Sequence, residues 1–384
     1  MKVLFLYQSP LHPETGGTER ITSLVIKGLT ARGINCMAML VIDPESKKLS
    51  YQNQAVGNLY DFLKANNIDV VINQIAYSTW LLEEFLKQGG ARWKSEGGRI
   101  ISQLHFAPKI PSAHFLARVS DNGSLQSKIQ ILKTQILAKR YERKDNQAAA
   151  RVFEYIYNNS DYFVTLSPTH FSYMKSVWHR NEYDRLVAIN NPLTFDTISN
   201  VAISESKEKI VLVVARMSEF HKRISICLKA WKRINDKRLV DEWKLLIVGD
   251  GPNLQNYKKY VIDNNLKNVF FEGQKSPEKY YERASIFLMT SSAEGWGLTL
   301  TESLQRGVVP VVMNTSPVFD EIIENEISGV LVKENDFKSF CSSIVKLIQD
   351  DKYRIAMSLS CLKQAEKFTL DTTIDKWMKL IGKE

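Results

Sequence analysis

Short apolar runs separated by helix-length amphipathic stretches recur along the whole chain, twice in the same rhythm. In the first half the runs Val3 to Tyr7, Asn35 to Ile42, Val70 to Asn73, Ile100 to Leu104, Tyr162 to Leu166 and Leu186 to Ile189 read as strands. Between them Glu19 to Ala31, Leu59 to Asn66, Thr79 to Lys87, a long stretch from Ala113 to Asn159 and a segment from Pro168 read as helices. Continuous apolar strands alternating with helices predict a parallel sheet covered on both faces.

Asn190-Asn191-Pro192-Leu193 is a turn, and the polar stretch beyond it predicts a linker over 193–208. The alternation then restarts. Strands are expected at Ile210 to Val214, Lys244 to Val248, Val269 to Glu272, Ile286 to Leu288, Val309 to Met313 and Val330 to Val332. Helices are expected through Leu228 to Ile234, from Asn253, from Leu298, over Asp336 to Lys367 and over Asp371 to Ile381. The fold class is therefore α/β, with two Rossmann-like doubly wound domains. Residues 1–192 form the first, 209–367 the second, and 368–384 a terminal helix. Doubly wound sheets bind ligands outside the carboxyl ends of their strands, so a cleft between the two domains is the expected site.

The 384 residues suffice for two such cores. No apolar run approaches the roughly 20 residues a membrane span needs, and the polar stretch from Gln8 follows Met1 too closely for a signal peptide. Cys36, Cys227, Cys341 and Cys361 show no paired spacing, which points away from a disulfide frame or zinc site and toward a cytoplasmic setting. Net charge is +9, and residues 1–192 hold 23 Lys and Arg against 16 Asp and Glu. A polyanionic partner in that half fits, be it nucleic acid, anionic lipid or a phosphorylated acceptor.

Three segments carry candidate chemistry. Gly16-Gly17 enters a helix after the first strand, where backbone N–H groups approach an anion. Arg216, Lys222 and Arg223 follow the strand Ile210 to Val214 and offer cations to phosphate, with Lys222 and Arg223 as alternatives for the main contact. In Glu294-Gly295-Trp296-Gly297-Leu298-Thr299-Leu300-Thr301-Glu302, two carboxylates bracket a glycine turn into a helix. A sugar nucleotide, with hydroxyls on both sides of a diphosphate, matches that pattern.

This last segment resembles the Glu, seven residues, Glu motif of the group 1 glycosyltransferases, a retaining family with the two-Rossmann GT-B fold and bacterial surface-polysaccharide members. Gly16-Gly17-Thr18-Glu19-Arg20, Val248-Gly249-Asp250-Gly251-Pro252, Phe271-Glu272-Gly273, Gly307-Val308-Val309-Pro310 and the terminal helix carrying Phe368 and Trp377 extend the likeness. It is close in the C-terminal half and limited in the N-terminal half to the glycine loop, His105 and the strand pattern. The family's Pro-Glu-Lys-Gly is replaced here by Glu219-Phe220-His221-Lys222-Arg223.

The resemblance implies an N-terminal acceptor domain, a C-terminal nucleotide-sugar domain and a last helix that crosses back to the first. It implies that Gly16, Gly17 and the N–H groups near Gly297, Leu298 and Thr299 meet the donor diphosphate, with Arg216 and Lys222 neutralising it. Glu294 would bind the transferred sugar within Glu294-Gly295-Trp296, Glu302 the ribose, and the backbone around Gln274 the base. His105 would stand beside the reacting sugar. No Asp-x-Asp occurs, so neither metal nor cofactor is implied. The expected activity is hexosyl transfer to a hydroxyl of a glycan or lipid-linked glycan, as in capsule or O-antigen assembly. The alternatives are a sugar-nucleotide epimerase on this fold and a catalytically silent glycan- or membrane-binding partner.

Residues 125–144 place Leu125, Ile129, Leu132 and Ile136 in one stripe flanked by Lys128, Lys133, Lys139, Arg140 and Lys144. Two readings stand, a helix packed on its own domain with a solvated rim and an interfacial helix at the inner membrane face. The aromatics of this half, among them Tyr77, Trp80 and Phe106, follow helix and strand spacing, which favours core or acceptor roles over nucleic-acid binding.

Overall fold

A computed structural model describes residues 1–14, 16–108, 125–199, 207–236 and 242–382. Side chains 125–128, 130–132, 134–139 and 141 lie outside the described residues, as do 109–124 at the start of the expected long helix and 200–206 of the expected linker. Of the described residues, one compact unit gathers 1–108, 136–194 and 369–382, and another gathers 125–135, 195–199, 207–236 and 242–368.

In the first unit the strands are β1 Lys2–Tyr7, β2 Asn35–Ile42, β3 Leu49–Tyr51, β4 Gln54–Ala55, β5 Val70–Asn73, β6 Arg99–Gln103, β7 Tyr162–Thr165 and β8 Leu186–Ala188. Their order is β4-β3-β2-β1-β5-β6-β7-β8. The ladder is parallel from β2 to β8, with β3 and β4 added antiparallel at one edge. Val70 to Asn73 are all buried, as parallel strands between helical layers must be. Its helices are α1 Gly17–Ala31, α2 Leu59–Ala65, α3 Trp80–Phe85, α4 Ala91–Ser95, α5 Leu125–Asn159 from residue 136 onward, and α6 Thr169–Val177.

The expected helix Thr79 to Lys87 stops at Phe85 and passes through a π-turn, Leu86–Gly90, before α4. Gly89 takes φ +130° there, a conformation that side-chain-bearing residues avoid. The short β3–β4 hairpin was not expected, because strands of two and three residues show no period.

The second unit is a six-stranded sheet: β9 Ile210–Val214, β10 Lys244–Val248, β11 Val269–Gly273, β12 Ile286–Met289, β13 Val309–Asn314 and β14 Val330–Lys333. Its order is β11-β10-β9-β12-β13-β14, parallel throughout. The connecting helices are α7 Glu219–Lys222, α8 Ile224–Asn235, α9 Leu254–Asp263, α10 Glu278–Arg283, α11 Leu298–Gln305, α12 Phe319–Ile322, α13 Phe337–Gln349 and α14 Asp351–Ala365. Asp336 and Asp350 cap α13 and α14 through bonds from the N–H groups of Ser339 and Tyr353, which divides the expected run 336–367 in two.

The last helix, α15 Leu370–Ile381, belongs to the first unit. Gly28 makes this possible, since a β-carbon there would lie 2.4 Å from Ile374 Cγ1. Asn190 Nδ2 donates to Thr373 Oγ1 at 3.2 Å, Lys376 Nζ donates to Asn190 Oδ1, and Arg99 Nη2 donates to the Ile381 carbonyl at 2.7 Å.

In each sheet the chain reverses its winding at one point: between β1 and β5 in the first, and between β9 and β12 in the second. Loops leaving such a switch point diverge to opposite faces and open a crevice.

Candidate functional site

At the second sheet's switch point, the loop after β9 enters α7, and Arg223 joins α7 to α8 in the left-handed region at φ +48°. The loop after β12 runs through Thr290 to Gly297 into α11. The two loops are laced together. Thr290 Oγ1 donates to the Lys222 carbonyl at 2.9 Å, Ser292 N to the His221 carbonyl at 2.8 Å, and Ser292 Oγ to the Phe220 carbonyl at 3.0 Å.

This lacing brings Lys222 Nζ to 2.5 Å from Glu294 Oε1, with both side chains largely buried. An ion pair at this depth is a charge-assisted hydrogen bond between two groups that lack most of their water. Arg223, its neighbour in sequence, is committed elsewhere. Its Nε donates to the Thr290 carbonyl at 2.7 Å, its Nη2 to the Ser291 carbonyl at 3.1 Å and its Nη1 to Glu334 at 3.2 Å. Arg216 is exposed and lies close enough to lower the pKa of His221. Burial lowers that imidazole first and the Lys222 charge second, against an opposing pull from Glu294.

The Glu294-to-Glu302 segment turns at Gly297, the N-cap of α11, with φ +96° and no side-chain cap. The N–H groups of Leu300 and Thr301 bond the Gly297 carbonyl, while those of Leu298 and Thr299 precede the first intrahelical bond. A helix start of this kind attracts an anion. Gly295 is half-buried and Trp296 is buried, its ring edge-to-face with Phe368 at 5.5 Å between centroids. Glu302, inside α11, is only 2% exposed. Gln274 is exposed just after Gly273, which itself has φ +73°.

The glycines of Val248-Gly249-Asp250-Gly251-Pro252 serve backbone packing. A β-carbon on Gly249 would lie 2.1 Å from the Ala215 carbonyl oxygen, and one on Gly251 would lie 2.8 Å from that of Met217. The Met217 N–H bonds the Asp250 carbonyl at 2.8 Å. This motif shapes the loop that carries Arg216.

In the first unit, Gly16 and Gly17 open α1 beside the switch point. The Glu19 carboxylate folds back onto Gly16, leaving 2.5 Å between its Oε2 and a β-carbon placed there. Glu19 accepts a hydrogen bond from the phenol of Tyr7, whose pKa burial and the Glu19 charge push up to about 12. His105 follows β6, and its Nε2 is 2.8 Å from Gln74 Oε1, which also accepts from Thr22 Oγ1 at 2.8 Å. Burial lowers the pKa of His105 to about 3, so the ring is neutral.

Gln74 was missed by sequence reading, although a polar residue ending the apolar run of β5 is the kind of signal that marks a strand's functional end. Among the described residues no group of three or more His, Cys, Asp or Glu side chains is arranged to hold a metal ion. Nor is any helix among them long and apolar enough to cross a membrane.

Comparison with known proteins finds likenesses of sequence and of fold. Residues 194–361 match the family model of glycosyl transferases group 1. An uncharacterized glycosyltransferase of Haemophilus influenzae is 25% identical over 224 residues, covering 58% of this chain and 61% of that protein. A Campylobacter jejuni α-1,4-N-acetyl-D-galactosaminyltransferase, named for an undecaprenol-diphosphate-linked acceptor, is 24% identical over 206 residues, 54% of this chain and 57% of that one. This chain thus spans under two thirds of the length of these curated relatives.

Similarity of structure extends further than similarity of sequence. The lipopolysaccharide outer core galactosyltransferase WaaB covers 99% of both chains with a TM-score of 0.67 at 17% identity. Anabaena HepE in complex with UDP covers 99% of both with a TM-score of 0.68 at 16% identity. These likenesses show the fold, the GT-B architecture of two Rossmann-like domains.

Proposed function

We propose that this chain is a retaining glycosyltransferase that moves a hexosyl group from a nucleotide-diphosphate sugar to a hydroxyl of a glycan or lipid-linked glycan in surface-polysaccharide assembly. The observation that carries the reading is the Lys222–Glu294 pair beside the uncapped start of α11. Each group is the other's counter-ion, and a sugar nucleotide would satisfy both at once. Its phosphate takes the ammonium, and a hydroxyl of its sugar donates to the carboxylate.

In this reading the diphosphate lies against the N–H groups of Leu298 and Thr299, with Arg216 and Lys222 around it. Gly295, Trp296 and Gly297 shape the floor. Glu302 takes the ribose, and the backbone at Gln274 meets the base. His105, kept neutral by burial and bonded to Gln74, is the first unit's candidate for a contact with the reacting sugar.

Transfer breaks the bond from the anomeric carbon to the phosphate oxygen and forms one from the acceptor oxygen on the same face. The departing phosphate oxygen takes the acceptor's proton. Glu294 acts in binding, so no protein nucleophile enters. Cations and oriented N–H groups stabilise the leaving diphosphate without a metal.

Support for the nucleotide-sugar class also comes from HepE, solved with UDP, and for a lipid-linked acceptor from the Campylobacter enzyme's name. We further propose peripheral contact with the inner membrane face through 125–144, where the described Ile129 is 45% exposed and Lys133 and Arg140 are exposed.

The test is a metal-free thermal-shift and hydrolysis screen against UDP-, GDP-, ADP- and TDP-sugars. A ligand that binds only the native state raises Tm by mass action, and a selective rise that Lys222→Ala and Glu294→Ala abolish is expected. No rise with any donor in a folded sample overturns the reading.

A further inference from the structure

The loops leaving β5 and β6 carry two aromatic rings that the core does not bury. Tyr77 and Phe106 are 46% and 52% exposed, yet they meet edge to face with centroids 5.1 Å apart and planes at 90°. β5 and β6 are neighbouring strands, and β5 borders the first sheet's switch point. The two loops are tied by the hydrogen bond between His105 and Gln74, and Gln74 is held in turn by Thr22 on α1. The pair therefore has a fixed seat.

Polar groups stand beside it. Tyr77 is near enough to Tyr7 to raise that phenol's pKa, and Tyr7 is bonded to the Glu19 carboxylate.

We propose that Tyr77 and Phe106 form a stacking subsite for a pyranose ring of the acceptor, with Tyr7 and Glu19 at its rim. The proposal rests on the glycosyltransferase reading above. A pyranose has a face of C–H groups and a rim of hydroxyls. The face covers an aromatic ring, whose π-cloud attracts the weakly positive hydrogens, and the hydroxyls replace water around the phenol and carboxylate. A lipid chain or apolar peptide would cover the rings but strip Glu19 of water and return no hydrogen bond. An open-chain polyol phosphate would bring charge beside a carboxylate and leave the rings exposed. The ring polyol is the chemistry that satisfies both.

Saturation-transfer NMR with the methyl glycosides of glucose, galactose and N-acetylglucosamine tests this on the intact chain. Transfer to ring C–H protons of at least one probe is expected in the wild type. Phe106→Ala and Tyr77→Ala should each weaken its Kd at least tenfold, and so should Phe106→Leu, which keeps apolar bulk without a ring. Phe106→Trp should retain binding. All four substitutions fall at two surface positions, so an unchanged Tm verifies folding, and an unchanged thermal shift with the nucleotide sugar shows that the donor site is intact. The subsite is overturned if no methyl glycoside is saturated by the wild type, or if saturation persists in the Tyr77→Ala/Phe106→Ala double variant. Saturation that depends on both rings, in a protein that responds to no donor, would support the subsite while removing the transferase reading.

Discussion

Two strand–turn–helix units in this molecule look alike in sequence and are electrostatically opposite. Gly16-Gly17 leads β1 into α1, and Gly297 leads the β12 loop into α11. At the first, the helix start already faces a carboxylate of its own chain, Glu19, held by Tyr7. At the second, the nearby carboxylate Glu294 is matched by Lys222. A phosphate approaching the first turn meets a like charge; one approaching the second can take over an ammonium. A glycine turn at a helix start is therefore a permissive feature, and the side chains folded over it decide whether it receives an anion.

The sharpest way to break this comparison is to remove the pair at the second turn. Lys222→Ala and Glu294→Ala should each lower transfer by a factor of 10² or more, the range seen when one oriented group at a developing charge is lost. Initial rates with a responsive donor check this, and near wild-type turnover in either variant would disprove the role given to that residue. Arg223→Ala separates the neighbouring cations. It removes two hydrogen bonds that hold the β12 loop and one to Glu334 after β14, so a fall in stability of about 2–4 kcal/mol is expected from losses of about 1 kcal/mol per bond and more for a charged donor. Chemical denaturation measures it.

Acid titration gives a third test, in the first unit. His170 on α6 is buried with neither ring nitrogen bonded, and burial lowers its pKa to about 4. The unfolded ring takes up its proton near pH 6.5 and the folded one resists it. The unfolded state thus binds more protons between these values, and stability declines as pH falls from about 6.5 toward 4, by at most about 3 kcal/mol for this group. His170→Phe should flatten that slope in denaturation curves taken across the window, and an unchanged slope would refute the assignment. The smallest effect is expected at the surface. Changing Lys128, Lys139 and Arg140 to Glu should reduce sedimentation with anionic liposomes in a salt-dependent way, whereas equal sedimentation would remove the membrane contact.

Much of the fold was legible before any coordinates. Both parallel sheets were, because strands buried on two faces are apolar at every position, as Ile210 to Val214 are. The hairpin of β3 and β4 was not, since pairing between Leu49–Tyr51 and Gln54–Ala55 depends on the edge of β2 and leaves no period of its own. Within the candidate site, Glu294, Gly297 and the cations after β9 stood out through their spacing around strand ends. Gln74 and Thr22 did not, because they lie 52 residues apart and meet only through the stacking of α1 on the sheet.

The sequence by itself determined the α/β class, the repetition of one architecture, and the loops in which chemistry collects, since these follow from local periodicity and from which residue types can line a turn. Only the tertiary structure shows that Lys222 and Arg223 have different partners. Adjacent in the chain, they diverge because the left-handed turn at Arg223 sends one side chain to Glu294 and the other to the carbonyls of Thr290 and Ser291. Which charge is held by backbone and which is left to a single, exchangeable partner depends on groups some 70 residues away, and no local pattern encodes that distance.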